Sequence, residues 1–341
     1  MYTKPRYKLI DVIWWTRFET ILFFINASIP TILFVFLDWQ WLQIPWTAEA
    51  LIGTAVAFMI GFQNNAAYGR IWEARKIWGG IVNTTRTWAN FTWNLIDHQD
   101  QEAYKQLLYR HISWLTSLRY EMRKRKPWET FQIQRVNNKW NKLMFVPEKK
   151  SAQDEQLKTL LSNEEYSFID KKQNRPSMIL YKQSSHLKKL KEAGQIDSYS
   201  FVKLQSLIEE FLTLQGKSER IKNFPYPRQY ATIGYLFTWI FILLLPYALL
   251  PKFIEMSQKL DAIHAVGAKH LVWTTIPFVM LVSWTFHTME KIGRAGENPF
   301  EGTANDIPIS SIARTLEIEM RQILNEENIP DPFPSSNNVQ M

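Results

Sequence analysis

Thr54, Phe58 and Phe62 stand every fourth residue in an uncharged run, and Gly53, Ala57 and Gly61 stand beside them in the same rhythm. On a helix each set makes one stripe, and the two stripes lie about 100° apart. Small residues at this spacing let transmembrane helices approach closely. Phenyl groups at this spacing make an apolar constriction that gates by dewetting. Their ring edges favour anions and their ring faces favour cations. The polar step Gln63-Asn64-Asn65 follows, still ahead of the first charge at Arg70, and Asn64 and Asn65 are placed to rehydrate an ion leaving such a constriction. The same pattern fits a lipid-embedded structural helix whose asparagines pair with backbone or with neighbouring helices.

Other chemistry is missing from the sequence. There is no Walker loop, dinucleotide glycine fingerprint, HExxH or GxSxG. His98, His111, His186, His264, His270 and His287 never fall three or four residues apart, so no single helix offers a histidine pair to a metal. The chain has no cysteine, which removes thiolate chemistry. No enzyme activity, metal or cofactor is expected. His287 falls in an apolar span, towards its cytoplasmic end, and reads as an interfacial histidine. No other acid or base sits in the core of a span. Ion-coupled pumps need such groups, so the pattern favours passive permeation.

The elements that must position these residues are helices. Aromatic residues make up 14% of the chain, with 15 Trp, as suits a protein with rings at a membrane interface. The formal net charge of +8 reads as a basic surface near anionic lipid rather than as a nucleic-acid footprint. Residues 1–17 form a basic, Trp-bearing cytoplasmic interfacial segment, and no cleavable signal is apparent. Residues 18–80 hold the first two membrane helices: an apolar stretch at 20–37 containing Pro30, and the uncharged run at 50–69. The link between them has three Trp and no Lys or Arg, as an external loop should.

Residues 81–229 are a cytoplasmic helical domain. Tyr104, Leu107, Leu108, Ile112, Leu115, Leu118 and Met122 repeat at helical spacing, as do Leu204, Leu207, Ile208, Phe211 and Leu214. Basic runs at 123–126 and 188–191 read as solvated faces. Residues 230–291 hold the third and fourth membrane helices, at 230–250 and 271–289, with an external link at 251–270. From Glu290 the chain turns back to water. In the cytoplasmic segment 292–330, Ser310 or Ser311 caps an amphipathic helix with Ile312, Leu316, Met320 and Ile323 on one face. It packs on its own or a neighbouring subunit. The Pro-, Ser- and Asn-rich residues 331–341 are expected to be disordered.

The run from Gly61 through Gln63-Asn64-Asn65-Ala66-Ala67-Tyr68, then Arg70-Ile71-Trp72-Glu73-Ala74-Arg75 and Trp78-Gly79, resembles the second-span signature of bacterial bestrophin homologues. Asn298-Pro299-Phe300 with Asn305-Asp306-Ile307-Pro308 resembles the family's post-membrane motif. Span order and the long helical insert agree, and the resemblance covers about residues 5–325. It implies an all-α membrane protein: a homopentamer around one central pore, with four transmembrane helices per subunit and a cytoplasmic helical bundle. It implies Thr54, Phe58 and Phe62 as the pore neck and, beside Leu204-Gln205-Ser206-Leu207, Val202 as the cytoplasmic aperture. Thr54 takes a neck position that is usually aliphatic in the family. Animal members are calcium-activated chloride channels with a dense acidic run after the post-membrane motif. Here that stretch, residues 301–306, has two acids, Glu301 and Asp306.

The expected function is therefore passive conduction of small monovalent ions, first of all anions such as chloride. The setting is a bacterial inner membrane, with both termini cytoplasmic, lipid and sister subunits as partners and no nucleic acid. A monovalent cation channel of the same fold is the alternative, and a non-conducting membrane-anchored scaffold is the alternative from another class. The small-residue row supplies a first test. Ala57→Leu should impair assembly, read as loss of the five-subunit particle mass in detergent. A well-formed pentamer would contradict a packing role for Gly53, Ala57 and Gly61.

Overall fold

The computed structural model describes residues 1–96, 101–129, 144–264 and 266–341, and its named elements are all helices, with isolated bridges joining Val339 to Tyr2 and to Ser336. The chain divides into two compact units. One comprises Pro5–Gly69 and Tyr226–Glu297; the other comprises Met1–Lys4, Arg70–Pro225 and Asn298–Met341. The helices are α1 (Leu9–Trp15), α2 (Arg17–Leu37), α3 (Trp46–Leu95), α4 (Gln101–Arg123), α5 (Gln153–Leu160), α6 (Asn163–Asp170), α7 (Arg175–Glu192), α8 (Ser198–Asn223), α9 (Arg228–Ala262), α10 (Thr275–Ala295) and α11 (Ile309–Ile323). Among the described residues, four stretches are long and apolar enough to cross a membrane: Arg17–Leu37, Gln40–Leu95, Arg228–Ala262 and Ala268–Ala295.

In the first unit α2, the start of α3, α9 and α10 close on a core of Phe23, Ala27, Val56, Ile60, Phe241, Ile242, Leu245 and Val279. The outer faces are studded with exposed Ile, Leu and Phe, including Ile21, Leu22, Phe24, Leu236 and Leu281, as a lipid-facing surface requires. Apolar surroundings offer no water to a freed backbone group, so each proline within a span must be compensated. Pro246 lacks the N–H that would bond the carbonyl of Ile242, and Asn26 of α2 supplies one instead, Nδ2 to O at 2.8 Å. Pro251 likewise frees the carbonyl of Tyr247, which accepts from the backbone N–H of Ile44 at 3.2 Å. With both breaks mended, α9 continues to Ala262, through much of the stretch expected as an external link. Its exposed end is laced by Lys252, Glu255 and Lys259.

The second unit is a helical bundle with a continuous core. Trp88, Trp114 and Phe211 enclose His111, whose Nε2 lies 3.0 Å from Thr85 Oγ1. Burial pushes the His111 imidazole down to about 3, so it is a neutral core residue. Side-chain caps start three of the helices: Ser162 for α6, Asn174 for α7 and Asp197 for α8. Among buried charges, Arg119 pairs with Glu148, Arg123 lies 3.3 Å from Asp306, and Lys222 pairs with Glu129.

Several expected boundaries move. The domain limit placed between residues 80 and 81 falls inside α3, because Ala74, Ile77, Trp78, Ile81 and Trp88 of that helix are buried in the bundle core. The return to water expected from Glu290 is delayed. α10 runs to Ala295, with Glu290 and Lys291 buried, Arg294 on Glu290 at 2.9 Å and Lys291 on Glu19 at 2.8 Å. α11 starts at Ile309 without a side-chain cap, and Ser310 and Ser311 are buried within it. Its inner face is Ile309, Ala313, Leu316 and Met320, packed against α4; Ile323 is exposed. The tail expected to be disordered is packed. Val339 and Met341 join Met144 and Val146, and the Met341 carbonyl accepts from Ser311 N–H at 2.6 Å. Phe333 adds a ring contact with Phe145, centroids 6.1 Å apart, and lies under the Arg314 guanidinium.

The buried Lys222–Glu129 pair gives a stability test. Burial lowers the Lys222 ammonium from its ordinary value while Glu129 opposes the shift. Removing one partner strands the other charge, so Glu129→Ala should destabilise the protein by about 3–5 kcal/mol. Replacing both with Leu and Met should restore most of that loss. Denaturant titration of the two variants measures the difference.

Candidate functional site

A helix with one buried face displays the opposite one. In the first unit the buried line on α3 is Gly53, Val56, Ile60, Gln63 and Ala67, at alternating three- and four-residue steps. Thr54, Phe58, Phe62 and Asn65 are all on the exposed side. Phe58 is 68% exposed and Phe62 59%, far from what a core phenylalanine shows. Their rings meet edge to face, with centroids 4.6 Å apart at 89°, so each restrains the other's orientation. The Thr54 hydroxyl donates to the Ala50 carbonyl at 2.8 Å. Its only proton is spent on the helix, which leaves this layer of the row less polar than a free hydroxyl would.

The small-residue row does not stay on one face. Four residues advance a helix by about 40° beyond a full turn, so two such steps turn the row by about 80°. Gly53 is buried, and a Cβ there would come within 2.7 Å of the Phe241 ring. Ala57 and Gly61 are exposed, and a Cβ on Gly61 would meet nothing. Within the chain, packing on this helix therefore uses Gly53 but neither of the other two.

The two asparagines separate as well, since neighbours lie about 100° apart. Asn65 is exposed on the side of the phenyl row. Asn64 is half-buried and turns its Oδ1 inward, away from the phenyl row. Its Oδ1 lies 2.5 Å from where a Cβ on Gly293 would sit, and that buried oxygen has no hydrogen-bond partner among the described residues. Gln63, not singled out as a site residue, is buried and donates to Glu297.

In the second unit Val202 is exposed early in α8, on a shallow groove of about 660 Å³ between α7 and α8. Tyr181, Ser184, Phe201, Gln205 and Leu212 line it. Of the two acids in the post-membrane stretch, Asp306 accepts from Gly302 N–H at 2.6 Å and from the Thr303 hydroxyl at 2.5 Å, and faces Arg123. Glu301 is buried, with Asn298 Nδ2 at 3.5 Å. Phe300 packs under Trp78, ring centroids 6.4 Å apart, which ties the post-membrane motif to the end of the second-span signature.

His287 is buried between Phe23 and Trp239, with Glu19 Oε1 at 3.7 Å from Nε2. His98 lies outside the described residues.

An all-helical chain with four membrane-crossing stretches, a separate helical bundle and an exposed aromatic row on its longest helix is an integral membrane protein of ion-channel architecture. Residues 11–322 match the family model for bacterial and fungal bestrophin proteins, and the chain belongs to that family. It is 24% identical to a voltage-dependent anion channel-forming protein of Synechocystis, over 83% of this chain and 78% of that one. It is 26% identical to a protein of the same description from Mesorhizobium japonicum, over 82% and 75% of the two chains. The crystal structure of a bestrophin homologue from Klebsiella pneumoniae has the same fold, with a TM-score of 0.74 at 21% identity, covering 92% of this chain and 99% of that one.

The contact of Asn64 with Gly293 can be tested by paired substitution. Gly293→Ala forces a Cβ against Asn64 Oδ1 and should destabilise by about 1–3 kcal/mol, the usual cost of overpacking. Adding Asn64→Ala should remove the clash and recover most of the loss. Thermal unfolding in detergent reads both.

Proposed function

We propose that this protein is a homopentameric channel that conducts small monovalent anions, of the chloride class, passively across the bacterial inner membrane. The observation that carries the reading is the exposure of Thr54, Phe58 and Phe62 on a helix whose opposite face is buried. Five copies of that row around one axis would make an apolar neck that opens and closes to ions by wetting and dewetting. Asn65, on the same side, would be the polar step beyond it, and Val202 the narrow point on the cytoplasmic side. The excess of basic residues outside the spans supports a cytoplasmic position for both termini.

Two observations support the anion. The relatives are themselves named as anion channel-forming proteins. No acid lies on the row itself between Thr54 and Asn65. Ala57 and Gly61, open within the chain, fit close approach of a neighbouring subunit's helix.

Purified protein in liposomes with asymmetric sodium chloride should give a reversal potential that tracks the chloride gradient. A potential that tracks sodium replaces the anion with a cation, and absence of current leaves a membrane scaffold. Phe58→Ala and Phe62→Ala should each change conductance or permeability ratio while the five-subunit particle mass stays the same. Unchanged currents in both would remove the neck from the phenyl row.

A further inference from the structure

The residue after Phe62 is tied to the far end of its unit. Gln63 is 3% exposed and points away from the phenyl row. Its Nε2 donates to Glu297 Oε1 at 3.3 Å, and the other oxygen of Glu297 accepts from Arg228 Nη2 at 2.6 Å. The Glu297 side chain is only 2% exposed, while Arg228 is 39% exposed and holds its guanidinium steady by donating Nε to the Tyr226 carbonyl at 3.0 Å. α9 passes this point at Gly234, where a Cβ would stand 3.4 Å from Gln63 Oε1.

We propose that Gln63, Glu297 and Arg228 form a polar latch that fixes the rotation of α3 at the neck, with Gln63 and Glu297 acting as positioning residues for Phe58 and Phe62. The proposal rests on the neck reading given above. The physical reason is the difference between the two kinds of contact on this helix. Val56 and Ile60 pack against aliphatic and aromatic side chains, a non-directional contact that tolerates small rotations. A hydrogen bond to a carboxylate weakens steeply with misalignment. Turning α3 would break the bond that the buried Gln63 amide makes to the Glu297 carboxylate. Because the backbone fixes about 100° between neighbours, holding Gln63 inward holds Phe62 outward, and Phe58 one turn earlier with it. The latch is distinct from the Asn64 contact with Gly293, which is steric.

The test uses the full-length protein in planar bilayers, with particle mass and melting temperature measured on the same preparations. Gln63→Leu and Glu297→Leu should each alter open probability by on the order of five-fold, and the double variant should do no worse than either alone. Glu297→Gln, which keeps volume and an acceptor, is the variant of choice should the leucine form fail to assemble, and it should show a smaller change in the same direction. In Glu297→Gln the amide oxygen still accepts from Gln63 Nε2, so this variant should retain more of the wild-type open probability than Glu297→Leu. A purely structural role would lower the melting temperature without that difference in gating. Wild-type gating in Gln63→Leu and Glu297→Gln, or losses that multiply in the double variant, would overturn the latch while leaving the neck standing. Unchanged currents in Phe58→Ala and Phe62→Ala would overturn both.

Discussion

α3 buries Gly53, Val56, Ile60, Gln63 and Ala67 in one unit and Ala74, Ile77, Trp78, Ile81 and Trp88 in the other. A fifty-residue helix with a nearly unbroken buried line leaves little freedom in what it shows on the other side. The phenyl row, Asn65 and the open pair Ala57 and Gly61 face outward for this reason, and not because of anything particular to phenyl or small side chains. The proposed ion path depends on that line, and so does the polar latch, since Gln63 is one of its members.

The spans obey the constraint that an apolar surrounding imposes on backbone polar groups. Pro246 and Pro251 each free a carbonyl, and each is met by a donor from another segment: the Asn26 amide in one case and the Ile44 backbone in the other. Both bonds join sequence-distant segments of one unit. The breaks therefore become cross-links rather than weak points, and they explain why α9 can run thirty-five residues with two internal prolines.

Helix content, the four crossing stretches and the family were all legible in the sequence, because hydropathy and charge are local properties and the second-span signature is continuous. The domain limits were less so. Residues from 81 onward looked like the start of a separate domain, but Ile81 and Trp88 continue the helix of Trp78 into a core that distant segments complete. Glu290 and Lys291 looked like a return to water because nothing local announces their partners: Arg294 is a turn away, but Glu19 is in another helix. The packed tail was missed for the same kind of reason, as Val339 and Met341 find their cover at Met144 and Val146.

Types and spacings by themselves determined that these residues form helices, that some cross a membrane, and that Phe58 and Phe62 share a stripe. They did not determine rotation. Rows written at four-residue intervals drift around the helix, which is why Gly53 is buried and Gly61 open, and adjacent asparagines point about 100° apart, which is why Asn65 stays with the phenyl row and Asn64 does not. Only packing against α9 and α10 could decide which side of α3 turned inward. It did so through Phe241 against Gly53, Glu297 bonded to Gln63, and Gly293 making room for Asn64.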